Sequence, residues 1–371
     1  MDNIIKLKLC IIYNGAAHYR AGIFRLLDEA FDCEWFFGHG YGGIKQLPTS
    51  FFKRAHYQEY KNIIGLVSFQ KGTIGKLLSR KYDLFLVLGD IPNIAVWIGT
   101  FLHNIFNNKR KVYFWSHGML RVRSYPRQFF EDLFFKLPYA NFVYGDRAKE
   151  IMISRGFHAE RVFSVHNSLD YDAQLAFRGH FSSIYKDHFG NDNPVLFFIG
   201  RLTKIKKLDM LIAAVGLIRS KGKTINLVFI GDGEVKEDLQ KQMYEAKLED
   251  YVWFYGPCYN EKEKSELIAN ADICVAPGNI GLTAMDSLMY GTPVITMDNL
   301  DMQMPEHEAI QEGVTGSFFH EDSIDDLANC IQCWLNNGLF RDEIRQNCYH
   351  EIDTKWNPHF QIEVFKKHLI P

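Results

Sequence analysis

An arginine and a lysine five positions apart, just past a glycine that ends an apolar run, are the first residues in this chain that could do chemistry. The segment reads Gly200-Arg201-Leu202-Thr203-Lys204-Ile205-Lys206. Arg offers phosphate oxygens a planar fork of donors and Lys a compact ammonium, while Gly200 lets backbone approach a ligand. The second candidate follows the apolar run Ile273–Ala276: a turn-rich loop, Gly278-Asn279-Ile280-Gly281, feeds a helix that starts at Leu282. The N–H groups of Ile280, Gly281, Leu282 and Thr283 would lie near a helix N-terminus, which suits an anion. Asp286, about one turn further on, could accept hydrogen bonds from a ribose. Together these groups describe a pocket for a nucleoside diphosphate. The bland alternatives are a solvated basic turn, since Lys204 and Lys207 stand alongside, and a helix-surface acid at Asp286.

Histidine is the next candidate. His117 ends an apolar run and precedes Gly118, so it would sit at the carboxyl end of a strand; His18 and His166 compete among 14 histidines. Asp170-Tyr171-Asp172 has the look of a metal-holding Asp-x-Asp, but Arg201 and Lys206 already supply cationic charge, so no metal is expected. Arg121, Arg123 and Arg127 interleave with Phe129, Phe130, Phe134 and Phe135, a pattern that suits either helix packing or an amphipathic membrane-facing helix. Cys330 and Cys333 form a C-x-x-C on a helical pattern with Leu327, Ile331, Trp334 and Leu335, which favours packing over redox chemistry.

Elements that could position these groups alternate along the chain. Strands are expected at Leu7–Tyr13, Leu84–Leu88, Val112–Ser116, Asn141–Tyr144 and Val162–Val165, then at Val195–Ile199, Ile225–Ile230, Val252–Tyr255, Ile273–Ala276 and Val294–Thr296. Helical patterns lie between them, which argues for βαβ units and parallel sheets. A polar stretch, 180–194, ends at Pro194 and reads as a connection between two halves. The expectation is an α/β protein of two Rossmann-like domains, with ligands at the carboxyl ends of their strands.

The 371 residues suit two cores rather than one. A net charge of -2 hides a split: residues 1–190 hold 25 Lys and Arg against 16 Asp and Glu, and the remainder is acidic. A basic half can face an anionic surface or acceptor. No run approaches the roughly 20 apolar residues of a membrane span; the closest, 84–106, is broken by Asp90, Pro92, Asn93 and His103. The first apolar run is too brief for a signal peptide, and seven scattered cysteines suit a reducing compartment. A cytoplasmic protein is expected, with the inner membrane face as an option.

With those residues in view, the chain resembles the retaining glycosyltransferases of family 4, which have the GT-B fold. That family carries a Gly-Arg-Leu…Lys element whose Arg and Lys bind the donor diphosphate, matched by Gly200, Arg201, Leu202 and Lys206. It also carries Glu-x7-Glu before Gly-Thr-Pro-Val-Ile. Asp286 stands at the second Glu, Gly291–Ile295 matches as written, and Gly278 stands at the first. In the family that first acid contacts the donor sugar, and Asn279 is the candidate to replace it. Weaker matches are Gly231-Asp232-Gly233-Glu234, Tyr255-Gly256 and Pro305-Glu306. In the first half they are Asn14-Gly15, His18-Tyr19-Arg20 and the Trp115-Ser116-His117-Gly118 segment.

The resemblance implies GT-B architecture, two Rossmann-like domains facing each other across a cleft: an acceptor-side domain over 1–180, a nucleotide-sugar domain over 181–350, and a terminal helix in 351–371 returning to the first. It implies catalytic roles for His117, Arg201 and Lys206. Donor-binding positions would be Gly15, Gly200, Gly231, Gly233, Tyr255, Asn279, Ile280, Gly281, Leu282, Thr283 and Asp286. The partners would be a nucleoside diphosphate sugar and a glycan or lipid-linked acceptor, with no metal, no further cofactor and no nucleic acid. Two other readings stay open: a sugar-nucleotide epimerase or hydrolase of the same fold, and a non-catalytic nucleotide-sugar or glycan-binding protein. A dinucleotide dehydrogenase is weaker, because no G-x-G-x-x-G follows a strand.

Overall fold

A computed structural model describes residues 6–38, 44–65, 67–107, 109–336 and 338–369. Two compact units divide the chain: one holds 1–170 and 357–371, the other 171–356.

The first unit is built on a parallel sheet whose strands are β1 (Lys8–Tyr13), β2 (Asp32–Phe37), β3 (Ala55–Tyr57), β6 (Leu84–Leu88), β7 (Lys111–Ser116), β8 (Ala140–Val143) and β9 (Val162–Ser164), in the order β3-β2-β1-β6-β7-β8-β9. A small antiparallel hairpin, β4 (Tyr60–Ile64) with β5 (Val67–Gln70), lies outside it. The strands read as near-continuous apolar runs because both faces of a parallel sheet are covered. On one face Leu9, Ile11, Trp35, Leu86 and Trp115 pack with Phe24; on the other Cys10, Ile12, Phe85, Val87 and Phe114 pack with Val96.

The helix Pro358–Leu369 belongs to this unit. Its Ile362, Phe365 and Leu369 enter the first core cluster, beside Ile23, Phe24 and Leu27 of the helix Ala21–Ala30. Each such side chain contributes about 1.5–3 kcal/mol when fully buried. Buried Gln361 fixes the return of the chain: Ser168 Oγ donates to its Oε1 at 2.6 Å, and its Nε2 donates to the His166 carbonyl at 2.8 Å.

The second unit holds β10 (Val195–Ile199), β11 (Asn226–Ile230), β12 (Val252–Phe254), β13 (Ile273–Ala276), β14 (Val294–Met297) and β15 (Gly316–Phe319), all parallel, in the order β12-β11-β10-β13-β14-β15. That order reverses between β10 and β13. Open α/β sheets bind ligands at such a point, outside the carboxyl ends of the strands. The same reversal falls between β1 and β6 in the first unit.

The boundary differs from the expected one. The chain changes unit at Asp170/Tyr171, and the polar stretch 180–194 lies within the second unit. It contains the helix Ile184–Phe189, whose Tyr185 hydroxyl donates to the Leu267 carbonyl at 2.5 Å. A polar composition marked a loop there, but one buried tyrosine anchors it to the second core.

Candidate functional site

Both sequence candidates emerge at the reversal point of the second unit. Gly200 follows β10 with φ +142, a conformation that favours glycine, and a Cβ there would stand 3.4 Å from Thr283 Oγ1. Thr283 in turn donates to the carbonyl of Ile199 at 2.8 Å. The turn after β10 is thus tied to the N-terminus of the helix Leu282–Met289. Among the described residues, the N–H groups of Gly281, Leu282 and Thr283 donate to no other residue, so this end presents orphan donors. The Ile280 N–H does not join them, because it donates to Gln303 Oε1 at 2.7 Å.

Arg201 is exposed and makes no ion pair among the described residues. Lys206 closes the short turn Lys204–Lys206, and its ammonium donates to the Asn279 carbonyl at 2.6 Å. Burial lowers the Lys206 pKa to about 8, with Glu306 pulling it up and Arg201 pushing it down. Two cations converge beside a helix N-terminus, and one of them is held at a cost that an anion would relieve.

The departure at Gly278 has a structural reason. Gly278 N–H donates to the Lys206 carbonyl at 2.9 Å and Asn279 N–H to the Ile205 carbonyl at 3.2 Å. A Cβ on Gly278 would lie 2.1 Å from the Ile205 carbonyl oxygen. With backbone contact that tight, any side chain would force the two loops apart, so glycine rather than an acid stands there. The Asn279 amide is also engaged: its Nδ2 donates to the Met302 carbonyl at 2.6 Å. A carboxylate does reach the area from the next loop. Glu306 is 2 % exposed, and its Oε2 is 4.0 Å from where a Cβ on Gly281 would be. The loop carrying it is pinned by Met304 N–H to the Ile280 carbonyl at 3.2 Å and by buried Gln303, whose Nε2 donates to Met297 O at 3.0 Å. The Pro305-Glu306 match hinted at this residue; nothing in the spacing of Gln303 did.

Asp286 sits in a polar cluster. Its Oδ1 accepts from Lys264 Nζ at 2.8 Å and from Gln174 Nε2 at 2.9 Å. Lys264 also pairs with Glu261 at 3.0 Å. Burial raises the Asp286 pKa and Lys264 offsets it. Among the described residues Oδ2 has no hydrogen-bond partner, so one oxygen remains for a ligand hydroxyl.

Gly231 and Gly233 serve close packing. Their Cβ atoms would fall 1.9 Å from the Gly200 carbonyl and 2.3 Å from the Leu202 carbonyl, and Leu202 N–H donates to Asp232 O at 2.9 Å. Tyr255 follows β12, half-buried, with its hydroxyl 3.4 Å from Glu263 Oε2.

In the first unit, His117 and Gly15 line a cavity of about 170 Å³ at the carboxyl ends of β1, β6 and β7, together with Arg20 and Tyr144. Burial, and then Arg20, push the His117 pKa down to about 4, so the ring is neutral near pH 7. His166 has its ring 5.4 Å from that of Phe360 and lines no part of this cavity.

Other expectations resolve locally. Phe134 and Phe135 pack in the core, whereas Phe129, Phe130 and Leu133 are exposed. The exposed apolar face of this segment is therefore formed by Phe129, Phe130 and Leu133, without Phe134 or Phe135. Cys333 is exposed while Leu327, Ile331 and Trp334 fill the interior. Among the described residues, no cluster of three His, Cys, Asp or Glu side chains is arranged to hold a metal ion.

Comparison with known proteins bears on both units. Residues 183–351, most of the second unit, match the family model described as Glycosyl transferases group 1. Curated relatives include an uncharacterized glycosyltransferase of Methanocaldococcus jannaschii, 26% identical over 170 residues, which are 45% of this chain and 42% of that protein. Glycogen synthase 2 of Nitrosococcus oceani is 30% identical over 40% of this chain and 32% of its own length. The chain thus spans under half the length of these relatives. Among solved structures, Anabaena HepE in complex with UDP matches with TM-score 0.74 at 16% identity, over 98% of this chain and 99% of the other. The apo form of the lipopolysaccharide outer core galactosyltransferase WaaB matches with TM-score 0.71 and 16% identity over 98% and 99%. Two Rossmann-like domains of the GT-B kind are therefore the fold of this protein.

Proposed function

We propose that this protein is a retaining glycosyltransferase that moves a sugar from a nucleoside diphosphate sugar to a glycan or lipid-linked saccharide acceptor. The observation that carries the reading is the half-buried Lys206 ammonium, whose pKa is lowered, beside Arg201 and the N-terminus of the helix Leu282–Met289. In transfer, the bond from the anomeric carbon to the diphosphate breaks, an acceptor hydroxyl oxygen bonds to that carbon, and the hydroxyl proton passes to the departing diphosphate or to solvent. Negative charge grows on the leaving diphosphate, and preorganised donors stabilise it as it forms. Arg201, Lys206 and the N–H groups of Gly281, Leu282 and Thr283 supply those donors, in the role a divalent metal would otherwise fill. Asp286 holds the ribose through Oδ2. Glu306 takes the part of the acid that Gly278 cannot carry, facing the donor sugar. His117, neutral, serves the reacting sugar or hydroxyl, as the family resemblance implies.

The reading is supported by the match of residues 183–351 to group 1 glycosyl transferases and by the HepE neighbour, whose structure holds UDP. Fold likeness alone does not separate transfer from epimerisation, since a putative UDP-N-acetylglucosamine 2-epimerase of Listeria monocytogenes matches with TM-score 0.65 at 14% identity, over 96% of this chain and 94% of that chain. Assay of nucleoside diphosphate sugars with and without saccharide acceptors tests the proposal. Acceptor-dependent turnover that persists in excess chelator is expected. Equal turnover without acceptor would favour the epimerase or hydrolase, and loss of activity restored by Mg²⁺ or Mn²⁺ would overturn the metal-free assignment.

A further inference from the structure

The cavity of the first unit contains a cation with no counter-charge. Arg20 is 6 % exposed and lines the cavity with Asn14, Gly15 and His117. Its guanidinium carbon lies 5.0–5.6 Å from the ring centroids of Tyr144, Trp115, Tyr13 and Tyr19. Among the described residues no carboxylate forms an ion pair with it. The rings are locked in turn, Tyr13 and Tyr144 by a hydrogen bond between their hydroxyls at 2.7 Å and Trp115 by edge contact with Phe365.

Burying an unpaired charge is costly. Aromatic faces offset part of that cost through their quadrupoles, but they leave the guanidinium fork without an acceptor of matching charge. Planar donors in that state suit a carboxylate or a phosphate, which they can bind bidentately. The location agrees, since open α/β sheets take ligands where the strand order reverses, here between β1 and β6. His117, neutral beside it, adds a ring nitrogen able to donate or accept for a ligand hydroxyl.

We propose that the Arg20 cavity binds an anionic oxygen group, carboxylate or phosphate, carried by a saccharide ligand. If the transferase reading holds, on which only this last step rests, that ligand is the acceptor, and the acceptor is acidic rather than neutral.

The test is calorimetric titration of the full chain with three probes: glucuronate, glucose 1-phosphate and neutral methyl glucoside. The first two separate carboxylate from phosphate recognition. At least one charged probe should bind tenfold or more tighter than methyl glucoside. Measured in an Arg201→Ala background, which weakens phosphate binding at the second unit, that preference should persist, vanish on adding Arg20→Met and weaken on adding Arg20→Lys. Arg20→Met should keep its melting temperature, because an apolar chain of similar length fits an aromatic cage; should it not fold, Arg20→Lys carries the comparison. No charge preference in the wild type, or one that survives both Arg20 substitutions, would overturn the proposal. A preference lost in Arg201→Ala would move the anion to the second unit and overturn it equally. Failure of nucleoside diphosphate sugars to bind would remove the transferase reading and leave this site standing.

Discussion

In the proposed donor site, Lys206 is the residue whose protonation can be followed. Burial brings its pKa from 10.5 to about 8 in the free protein. Between those values the unfolded chain binds the extra proton, so this group's contribution to stability rises with pH over that window. A bound diphosphate favours the ammonium and reverses the shift. Affinity for a nucleoside diphosphate should therefore fall as pH rises above about 8, approaching tenfold per unit if one proton is taken up. In Lys206→Arg, which stays charged throughout, the fall should disappear. Titrations from neutral to alkaline pH check this, and equal slopes in the two proteins would dissociate Lys206 from the phosphates. Arg201→Ala and Lys206→Ala should each lower transfer by one to several orders of magnitude, from the loss of roughly 2–4 kcal/mol of transition-state stabilisation. Near-normal turnover in both would remove the diphosphate site.

At the scale of elements, the loop Gly278–Gly281 is held from two sides, by the turn Lys204–Lys206 and by the loop reaching Glu306. Gly278→Ala should therefore destabilise the fold by roughly 1–3 kcal/mol through overpacking, lowering the melting temperature by about 2–4 °C per kcal/mol. It should also weaken nucleotide binding, since the two candidate loops must part. An unchanged melting temperature and affinity would show that the backbone contact is dispensable. The motif elements were legible in the sequence because β10, β11, β13 and the helix Leu282–Met289 are apolar throughout or carry sharp glycine punctuation. Strand β2 was not, because Glu34 interrupts its apolar run. The structure buries that acid and satisfies it with the Tyr82 hydroxyl at 3.0 Å and Lys81 at 2.5 Å. Strand β15 was hidden by Gly316, which is needed where a Cβ would stand 1.9 Å from the Val294 carbonyl. Gln303, Lys264 and Gln174 were out of reach for another reason: polar residues far apart in sequence reveal a shared site only once the chain is folded. Arg20 was visible only as part of a weak match, since nothing local shows that its neighbours will be aromatic.

For the molecule as a whole, no helix among the described residues is long and apolar enough to cross a membrane. The first unit does expose Phe129, Phe130 and Leu133 on the helix Arg127–Phe135, with Ile98, Phe101 and Ile105 on the helix Ile94–Phe106. The two helices touch, Trp97 against Phe134 with ring centroids 4.8 Å apart. With the basic balance of residues 1–190, this predicts peripheral binding to anionic lipid, each basic residue near the surface adding about 1 kcal/mol, screened by salt. Sedimentation with anionic and neutral liposomes at low and high salt measures it. Phe129→Ser with Phe130→Ser should reduce the bound fraction, and equal recovery in the supernatant under all conditions would mean the patch has another use.

The central claim is that the second unit binds a nucleoside diphosphate sugar between the Arg201–Lys206 turn and the helix Leu282–Met289. The most direct measurement is the melting temperature of the wild type, Arg201→Ala and Lys206→Ala with a panel of nucleoside diphosphate sugars. A ligand at 100 times its dissociation constant stabilises the native state by about 2.7 kcal/mol. At least one donor should raise the wild-type melting temperature at a concentration where it leaves both variants unmoved. Failure of every donor to shift the wild type, or an equal shift in all three proteins, would contradict the account.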